Sequence, residues 1–379
     1  MRILAFNHSA SLYGAQKSLL TLLGGLKGRG HHIMILSPTD GPAVQDAKAR
    51  GLETAIVHFP LPKLGSKNIL EFSALTYRSS KTILLATESF QPDVIIFNTV
   101  ACLSPAIALR QLPIRKIWSL RETTPMRGLV SMAVASLSDL AVANCHYIAA
   151  QYPVLQRKMH LKTVVNGIAS GEESPCQEGR VEHRKAGRKK ALFAGSLVTH
   201  KGVHTLLQGA KIALEKECDF ELDIFGDGIL QSEMDLFIKK HGLSDRVRLK
   251  GFISNLGDSL AEADVVVIPS LIEPFPRIGL EAMALGKPIV GSAVGGIMEQ
   301  VVDGFTGFLF KPGNADDLAE KLIRLLSRED LIKRLGEQGR SRQSTLFSEQ
   351  AYIDNYERYL SPGEIGDSNL ITTGNPPKK

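Results

Sequence analysis

Glu273 and Glu281 stand eight residues apart in the run Glu273-Pro274-Phe275-Pro276-Arg277-Ile278-Gly279-Leu280-Glu281. Upstream, Asp264 to Ser270 is a short β-branched run of the kind that forms a buried parallel strand. Downstream, Ile278 to Leu285 has helical spacing, closed by Gly286 and followed by Pro288. One carboxylate therefore precedes a helix start and the other lies inside that helix. The first turn leaves about four backbone N–H groups without intrahelical partners, and together with the helix dipole they favour an anion such as a diphosphate. Carboxylates on either side accept hydrogen bonds from hydroxyls. The pattern suits a long ligand with hydroxyls at both ends and negative charge in the middle, which describes a sugar diphosphonucleoside. The competing reading is a solvated loop glutamate and a surface helix glutamate. The apolar block Ala282 to Leu285 and the stiffening prolines Pro274 and Pro276 weigh against it.

The stretch Glu273 to Phe310, EPFPRIGLEAMALGKPIVGSAVGGIMEQVVDGFTGFLF, resembles the retaining glycosyltransferases of the GT-B fold, in particular the group-4 class (group 1 / family 4) with its E-x7-E motif. The resemblance runs from Met1 to about Leu360. It implies two Rossmann-like, doubly wound parallel-sheet α/β domains facing each other across a cleft. It also implies that Glu273 contacts the donor sugar and Glu281 the ribose, with Phe275, Pro276, Arg277, Ile278 and Gly279 around the donor.

A second loop carries a cation. Gly195-Ser196-Leu197-Val198-Thr199-His200-Lys201-Gly202 follows an apolar run and leads into a helix. A lysine beside a leaving diphosphate neutralises charge that grows as the glycosidic bond to phosphate breaks, which is the transition-state-selective interaction that catalysis needs. Lys201 is thus the phosphate candidate and, with Glu273, the catalytic candidate; a plain solvated lysine is the alternative. The resembling family commonly has Arg and Lys together in this loop, whereas Ser196 occupies the Arg position here. In Tyr13-Gly14-Ala15-Gln16 the small residues let a backbone approach a ligand. Gly14 is a candidate diphosphate or sugar contact, and Gln16 stands where the family usually has an acid. The family's histidine near the end of the fifth strand is absent from Trp118-Ser119-Leu120-Arg121-Glu122. Arg121 or Glu122 is the candidate to orient the acceptor, and His8 and His146 lie near other strand ends. In the family, Gly226-Asp227-Gly228 and Gly251-Phe252 would border the nucleotide, making Phe252 a donor contact. No Asp-x-Asp triplet occurs, which argues against a divalent-metal diphosphate clamp; no metal site and no cofactor are expected, the nucleotide sugar being a co-substrate linked to UDP or GDP.

The length of 379 residues suggests two domains, and 44% apolar with 22% charged residues describes an ordinary globular composition. Cys102, Cys145, Cys176 and Cys218 are far apart without metal-ligand spacing, pointing to a reducing, cytoplasmic compartment. The chain opens directly into an apolar strand pattern without signal-peptide features, and no run reaches the ~18 apolar residues of a membrane span. Charge is uneven. Residues 1–168 hold 18 Lys plus Arg against 8 Asp plus Glu, a net +10, within a chain whose total is +6. That asymmetry fits an anionic membrane surface or an anionic acceptor; nucleic acid is not expected from the rest of the pattern.

The organisation that must position these residues is a β/α repeat. Arg2 to Asn7, His32 to Ser37, Thr54 to Phe59, Val94 to Asn98, Lys116 to Leu120 and Leu140 to Asn144 read as strands of a first domain, residues 1–168. A polar linker, residues 169–190, leads to a second domain, 191–345, with strands at Ala191 to Gly195, Glu221 to Phe225, Val247 to Lys250, Val265 to Pro269, Pro288 to Ser292 and Gly307 to Phe310. Such units build parallel sheets whose ligands bind outside the carboxyl ends of the strands. Residues 346–360 form a last helix, which in the resembling family crosses back to the first domain, and 361–379 read as a disordered tail. The function expected is a metal-independent retaining transferase moving a hexose to an acceptor hydroxyl on a glycan or lipid-linked glycan, in cell-surface polysaccharide or glycolipid synthesis. A nucleotide-sugar epimerase and a non-catalytic nucleotide-sugar-binding homologue are the rivals. A dinucleotide dehydrogenase is disfavoured because no Gly-x-Gly-x-x-Gly follows the first strand.

Overall fold

A computed structural model describes residues 1–62, 69–123, 127–157, 161–169, 188–253 and 255–362. These divide into two compact units, one of residues 1–168 and 349–362, the other of 169 and 188–348. Most of the expected linker, Cys176, and the tail from residue 363 onward lie outside the described residues.

The first unit contains β1 (Arg2–Phe6), β2 (His32–Ser37), β3 (Glu53–Ile56), β4 (Val94–Phe97), β5 (Arg115–Leu120), β6 (Leu140–Ala143) and β7 (Leu161–Thr163), paired in parallel in the order β3-β2-β1-β4-β5-β6-β7. The second contains β8 (Lys189–Ala194), β9 (Phe220–Phe225), β10 (Val247–Gly251), β11 (Val265–Ile268), β12 (Ile289–Ser292) and β13 (Gly307–Phe310), also parallel, in the order β10-β9-β8-β11-β12-β13. Runs such as VIIF in β4 and VVVI in β11 are β-branched or aromatic and buried throughout, because helices cover both faces of a parallel sheet. Each expected strand is present, with no end displaced by more than three residues and with β2 and β13 at the expected bounds. The three-residue β7 is not among them: its Leu-Lys-Thr has no pattern of its own, and only pairing with β6 makes it a strand.

Both strand orders reverse direction at one place, between β1 and β4 in the first sheet and between β8 and β11 in the second. The loops leaving those two strands turn to opposite faces and open a crevice at the carboxyl edge, which is where ligands bind in doubly wound sheets.

The first unit's core includes residues from the far end of the sequence. Tyr352, Ile353, Tyr356 and Leu360 pack with Ile3, Leu19, Leu22, Leu23 and Ile96. The first three sit on the helix Glu349–Glu357, which packs against the helix Gly14–Gly28, and Leu360 lies just beyond it. This contact explains Gly25 in a helix interior, where a glycine costs about 1 kcal/mol relative to alanine: a methyl on Gly25 would lie 1.9 Å from Ile353 Cδ1. Arg29 pairs with both Asp354 and Glu357, and His31 Nε2 lies 2.7 Å from Glu357 Oε1. The terminal helix is therefore part of the first unit, by packing as well as by charge.

Candidate functional site

Lys201 and Glu273 meet at the switch point of the second sheet. Lys201 ends a 3-10 turn, Thr199–Lys201, in the loop leaving β8, and Glu273 lies in the loop leaving the adjacent β11. Lys201 Nζ donates to Glu273 Oε2 at 2.6 Å, and Ser270 Oγ donates to the same oxygen at 3.0 Å. Glu273 is only 6% exposed. An ammonium group has three protons, so one bond to Glu273 leaves Lys201 further donors for phosphate oxygens. The two loops are also tied through their backbones, Leu271 N–H donating to the His200 carbonyl at 2.8 Å. Gly202, at φ +70°, permits this approach, since a methyl there would lie 1.8 Å from the Pro269 carbonyl oxygen.

Immediately after Glu273 comes the helix Arg277–Ala284, with Pro276 at its N-cap and no side-chain cap. Natural helices commonly place acids in the first turn and keep cations away from it. Here the first turn has no acid and begins with Arg277, whose Nε donates to Glu281 Oε1 at 2.9 Å. A cation at the positive end of a helix opposes stability, and its presence there concentrates positive potential where an anion would sit. Glu281 is half-buried, one turn along the same helix. Of the other donor candidates, Ile278 is half-buried and Gly279 buried in that first turn, while Pro276 is buried with its carbonyl accepting from Gly279 N–H and Gln300 Nε2. Phe275 is buried, its ring 5.8 Å from that of Phe347, so its side chain supports the loop from behind.

Four residues complete this loop cluster without having stood out in the sequence. Ser270 bonds Glu273; Ser292, closing β12, donates to the Ser270 carbonyl. Gly296 N–H donates to the Glu273 carbonyl at 3.1 Å, and a methyl there would lie 1.9 Å from the Pro274 carbonyl oxygen. Gln300 is fully buried and fastens the helix N-cap through Pro276. A methyl on Gly279 would lie 2.2 Å from Gln300 Oε1, so Gln300 keeps this place beside a residue without a side chain. Only the sequence Gly295-Gly296 carried a hint, as two small residues in succession after a strand.

The outer edge of the same sheet ends in glycine three times. Gly195 N–H donates to the Phe225 carbonyl and Gly226 N–H to the Gly251 carbonyl, so β8, β9 and β10 finish in a laced backbone rim. Gly226 has φ +128°, and a methyl on it would lie 2.0 Å from the Gly195 carbonyl oxygen. Ser196 is exposed beside this rim, and Phe252, just past β10, is 57% exposed. An exposed aromatic beside bare backbone offers a flat face to a planar ring.

In the first unit Arg121 and Glu122 take different surroundings. Arg121 is buried and fully engaged: Nε donates to Asn98 Oδ1 at 2.9 Å, one terminal nitrogen to Asn166 Oδ1 at 2.8 Å, and the other to Tyr352 Oη at 3.0 Å. Its fork thus ties the ends of β4 and β5 to the terminal helix. Glu122 is half-buried, and its Oε1 accepts from Val100 N–H at 3.0 Å. Burial pushes its carboxyl up to about 7, against the Val100 hydrogen bond and the Arg121 charge, which pull it down. Nearby, His8 contacts Thr99 Oγ1 at 3.1 Å and Gln16 Nε2 at 3.4 Å; burial first and Arg121 second lower its pKa. Gly14 is exposed at the start of its helix with nothing near its Cα hydrogens, and His146 opens the short helix His146–Ala150.

The Glu122 shift has a sign. Between about 4.5 and about 7 the folded chain holds a proton that the unfolded chain has released, so folding stability contributed by this group is present at low pH and lost as pH rises through that window. Urea unfolding at pH 5 and pH 8 is expected to show a stability gap between wild type and Glu122→Gln that changes by about 2–3 kcal/mol, the wild type losing ground at pH 8. A gap independent of pH would place the carboxyl in water instead.

Among the described residues, no group of three or more His, Cys, Asp and Glu gathers in a metal-binding arrangement, and no helix is long and apolar enough to cross a membrane. Among the described residues no disulfide joins Cys102, Cys145 and Cys218, the first two of which are buried.

Known proteins match the chain in both halves. The model for Glycosyltransferase Family 4 covers residues 13–169, and that for Glycosyl transferases group 1 covers residues 177–342. An uncharacterized glycosyltransferase of Methanocaldococcus jannaschii is 36% identical over 151 residues, 39% of this chain and 41% of that protein. The N-acetyl-alpha-D-glucosaminyl L-malate synthase of Bacillus anthracis is 34% identical over 158 residues, 41% of each chain. The chain thus spans less than half the length of these two relatives. The crystal structure of Anabaena HepE in complex with UDP and glucose superposes with a TM-score of 0.80 at 23% identity, over 95% of this chain and 99% of that one. The likeness in three dimensions is to the fold, and the sequence matches assign the lineage. The chain belongs to the glycosyltransferases of the GT-B fold, with a family 4 first half and a group 1 second half.

Proposed function

We propose that this protein is a retaining, metal-independent glycosyltransferase that moves a hexose from a UDP- or GDP-sugar to an acceptor hydroxyl. The observation that carries the reading is the 2.6 Å pair of Lys201 and Glu273 at the β8–β11 switch point, directly before a helix that begins with Arg277. Cationic and amide donors stand beside a carboxylate there, as a sugar diphosphate requires. In this reading Glu273 holds sugar hydroxyls and Glu281 the ribose. Lys201, the Arg277 side chain and the amides of Arg277 and Ile278 take the diphosphate, and Phe252 with the glycine rim borders the base. UDP is the favoured nucleotide, because HepE, which shares the fold, binds UDP and glucose.

The step balances without a protein base. The acceptor oxygen attacks the anomeric carbon on the face that the diphosphate is leaving. The carbon–oxygen bond to phosphate breaks with its electron pair going to the nucleotide, and the acceptor proton passes to the departing phosphate oxygen. The new glycosidic bond keeps the donor's anomeric configuration. Charge accumulates on the leaving phosphate as the bond stretches, and donors already fixed by the fold stabilise it without reorganising. The alpha-D-glucosaminyl group in the name of the Bacillus anthracis relative fits retention from an alpha-linked donor. The basic first half favours a glycan or lipid-linked glycan acceptor, and the widely spaced cysteines suit a reducing cytoplasm.

A thermal-shift panel of UDP, GDP and their hexose conjugates tests the donor assignment. At a ligand concentration about 100-fold above Kd, stabilisation of about 2.7 kcal/mol is expected for the matching nucleotide, readable as a rise of several degrees. NMR of the product at the new anomeric centre tests retention, and an unchanged rate in EDTA tests metal independence. No shift with any nucleotide or nucleotide sugar would remove the reading. A shift accompanied by a new nucleotide sugar without acceptor would make the protein an epimerase.

A further inference from the structure

Three helices of the second unit meet around the loop that bears Glu273. The helix Glu329–Leu346 packs against the helix Arg277–Ala284, and a methyl on its Gly336 would lie 1.9 Å from the Gly286 carbonyl oxygen. Two arginines of the longer helix reach the ends of its neighbours. Arg340 Nε donates to the carbonyl of Ala284, the last residue of the Arg277–Ala284 helix, at 3.0 Å. Arg342 Nε donates to the Gln300 carbonyl at 3.1 Å and a terminal nitrogen to the Glu299 carbonyl at 2.8 Å, at the last two residues of the short helix Ile297–Gln300. The final carbonyls of a helix have no intrahelical partner, so both arginines satisfy groups that the backbone leaves open.

Arg342 differs from Arg340 in what lies behind the carbonyls it holds. Gln300 carries the connection onward, since its buried side chain donates from Nε2 to the Pro276 carbonyl at 2.9 Å, at the N-cap of the Arg277–Ala284 helix. The Arg342 guanidinium also stands 5.4 Å from the centre of the Phe347 ring, and that ring meets the Phe275 ring edge-on at 5.8 Å. Phe347 is itself fixed, its N–H donating to the Gln343 carbonyl at 2.8 Å and its carbonyl accepting from Gln343 Nε2 at 3.2 Å. Two routes therefore lead from one guanidinium to Phe275 and Pro276, the residues directly before the amides of Arg277 and Ile278. Burial lowers the Arg342 pKa, the mark of a charge withdrawn from water to meet carbonyl dipoles and an aromatic face. Arg340 touches the same helix at its other end, about 12 Å from the first turn at 1.5 Å per residue.

We propose that Arg342 is a positioning residue for donor binding: through Gln300 on one side and Phe347 on the other it holds Phe275 and Pro276, so that the amides of Arg277 and Ile278 and the Arg277 side chain meet a diphosphate without rearranging. Arg342 itself touches no substrate atom in this role. What it supplies is preorganisation, which removes an ordering cost that binding would otherwise carry. A displaced seat weakens the ground state and the transition state alike, and such a loss raises KM while leaving kcat nearly unchanged. This role presupposes that the start of the Arg277–Ala284 helix is the diphosphate seat.

Calorimetric titration with UDP and with GDP, donor kinetics, and hydrogen exchange of residues 274–280 without nucleotide test it on the full chain, well below the melting temperature of each variant. Arg342→Met keeps an apolar stem against Phe347 but has no donor, so nucleotide Kd and donor KM are each expected to rise about tenfold while kcat stays within about twofold. Exchange of the 274–280 segment should become faster in the same variant. Arg342→Lys keeps the charge and can donate to one of the two carbonyls; it should lose less, and it serves where the methionine variant does not fold. Arg340→Met is the control. It gives up a bond of the same kind from the same helix, so the melting temperature should fall by a similar amount while Kd, KM and exchange of the segment stay at wild-type values. Wild-type Kd, KM and exchange in both Arg342 variants, with nucleotide binding intact in the wild type, would overturn this role alone, as would equal changes in Arg340→Met. A wild type that binds neither nucleotide would overturn the donor reading and this role with it.

Discussion

Glu273→Gln is expected to lower sugar transfer by about 10^2–10^3-fold while leaving the fold and nucleotide binding in place. Glutamine keeps the size of glutamate and can still accept from Ser270 Oγ and Lys201 Nζ, so the loop retains both bonds. What disappears is the negative charge, which strengthens hydrogen bonds from sugar hydroxyls as the ring gains oxocarbenium character. The loss should therefore appear in kcat more than in KM, because an interaction made mainly in the transition state is the one removed. Steady-state kinetics with the donor found by thermal shift, together with a UDP or GDP shift on the variant, measures both parts. A variant retaining more than half of wild-type kcat would mean that Glu273 merely anchors Lys201. Replacement by alanine would be less informative, since it leaves a half-buried ammonium without its carboxylate.

The second large effect concerns the backbone. Gly202→Ala adds a methyl group where φ is +70° and where the Pro269 carbonyl oxygen would be 1.8 Å away. The left-handed conformation alone costs roughly 1–2 kcal/mol, and the collision involves main chain on both sides, so relief requires the β8 and β11 loops to separate. A total of about 3–5 kcal/mol is expected, or a fall in melting temperature of roughly 6–20 °C for a unit of this size. Gly242→Ala is the control: φ there is +66° with no atom within 4 Å, so only the conformational cost applies. Similar losses for the two variants would show that the close approach at Gly202 contributes nothing. Because Gly202 follows Lys201, the same substitution should also weaken nucleotide binding, which Gly242→Ala should leave alone.

Much of this architecture is legible in the order of residues. A strand buried on both faces has to be apolar throughout, so VIIF and VVVI announce themselves, and the alternation with helical segments dictates parallel sheets. The placement of Lys201 and Glu273 on loops after β8 and β11 follows from the same reading, and so does the terminal helix with its tyrosines. β7 escaped because three residues carry no periodicity. Phe275 looked like a ligand contact from its position beside Glu273, yet its ring packs on Phe347, a residue more than seventy positions away along the chain.

By itself the sequence determined which segments are strands, β7 excepted, that two doubly wound sheets result, and which two loops bear the acid and the cation, because each of these depends on residue type within a short window. Tertiary structure alone decided that those loops are neighbours, since adjacency of β8 and β11 is a property of strand order, and with it the 2.6 Å contact of Lys201 with Glu273. It also decided that Arg121 is spent on Asn98, Asn166 and Tyr352, and that Gln300 holds the helix beside Glu273. Hydrogen bonds between residues tens or hundreds of positions apart leave no local periodicity, because what selects the partner is the fold that brings the two together.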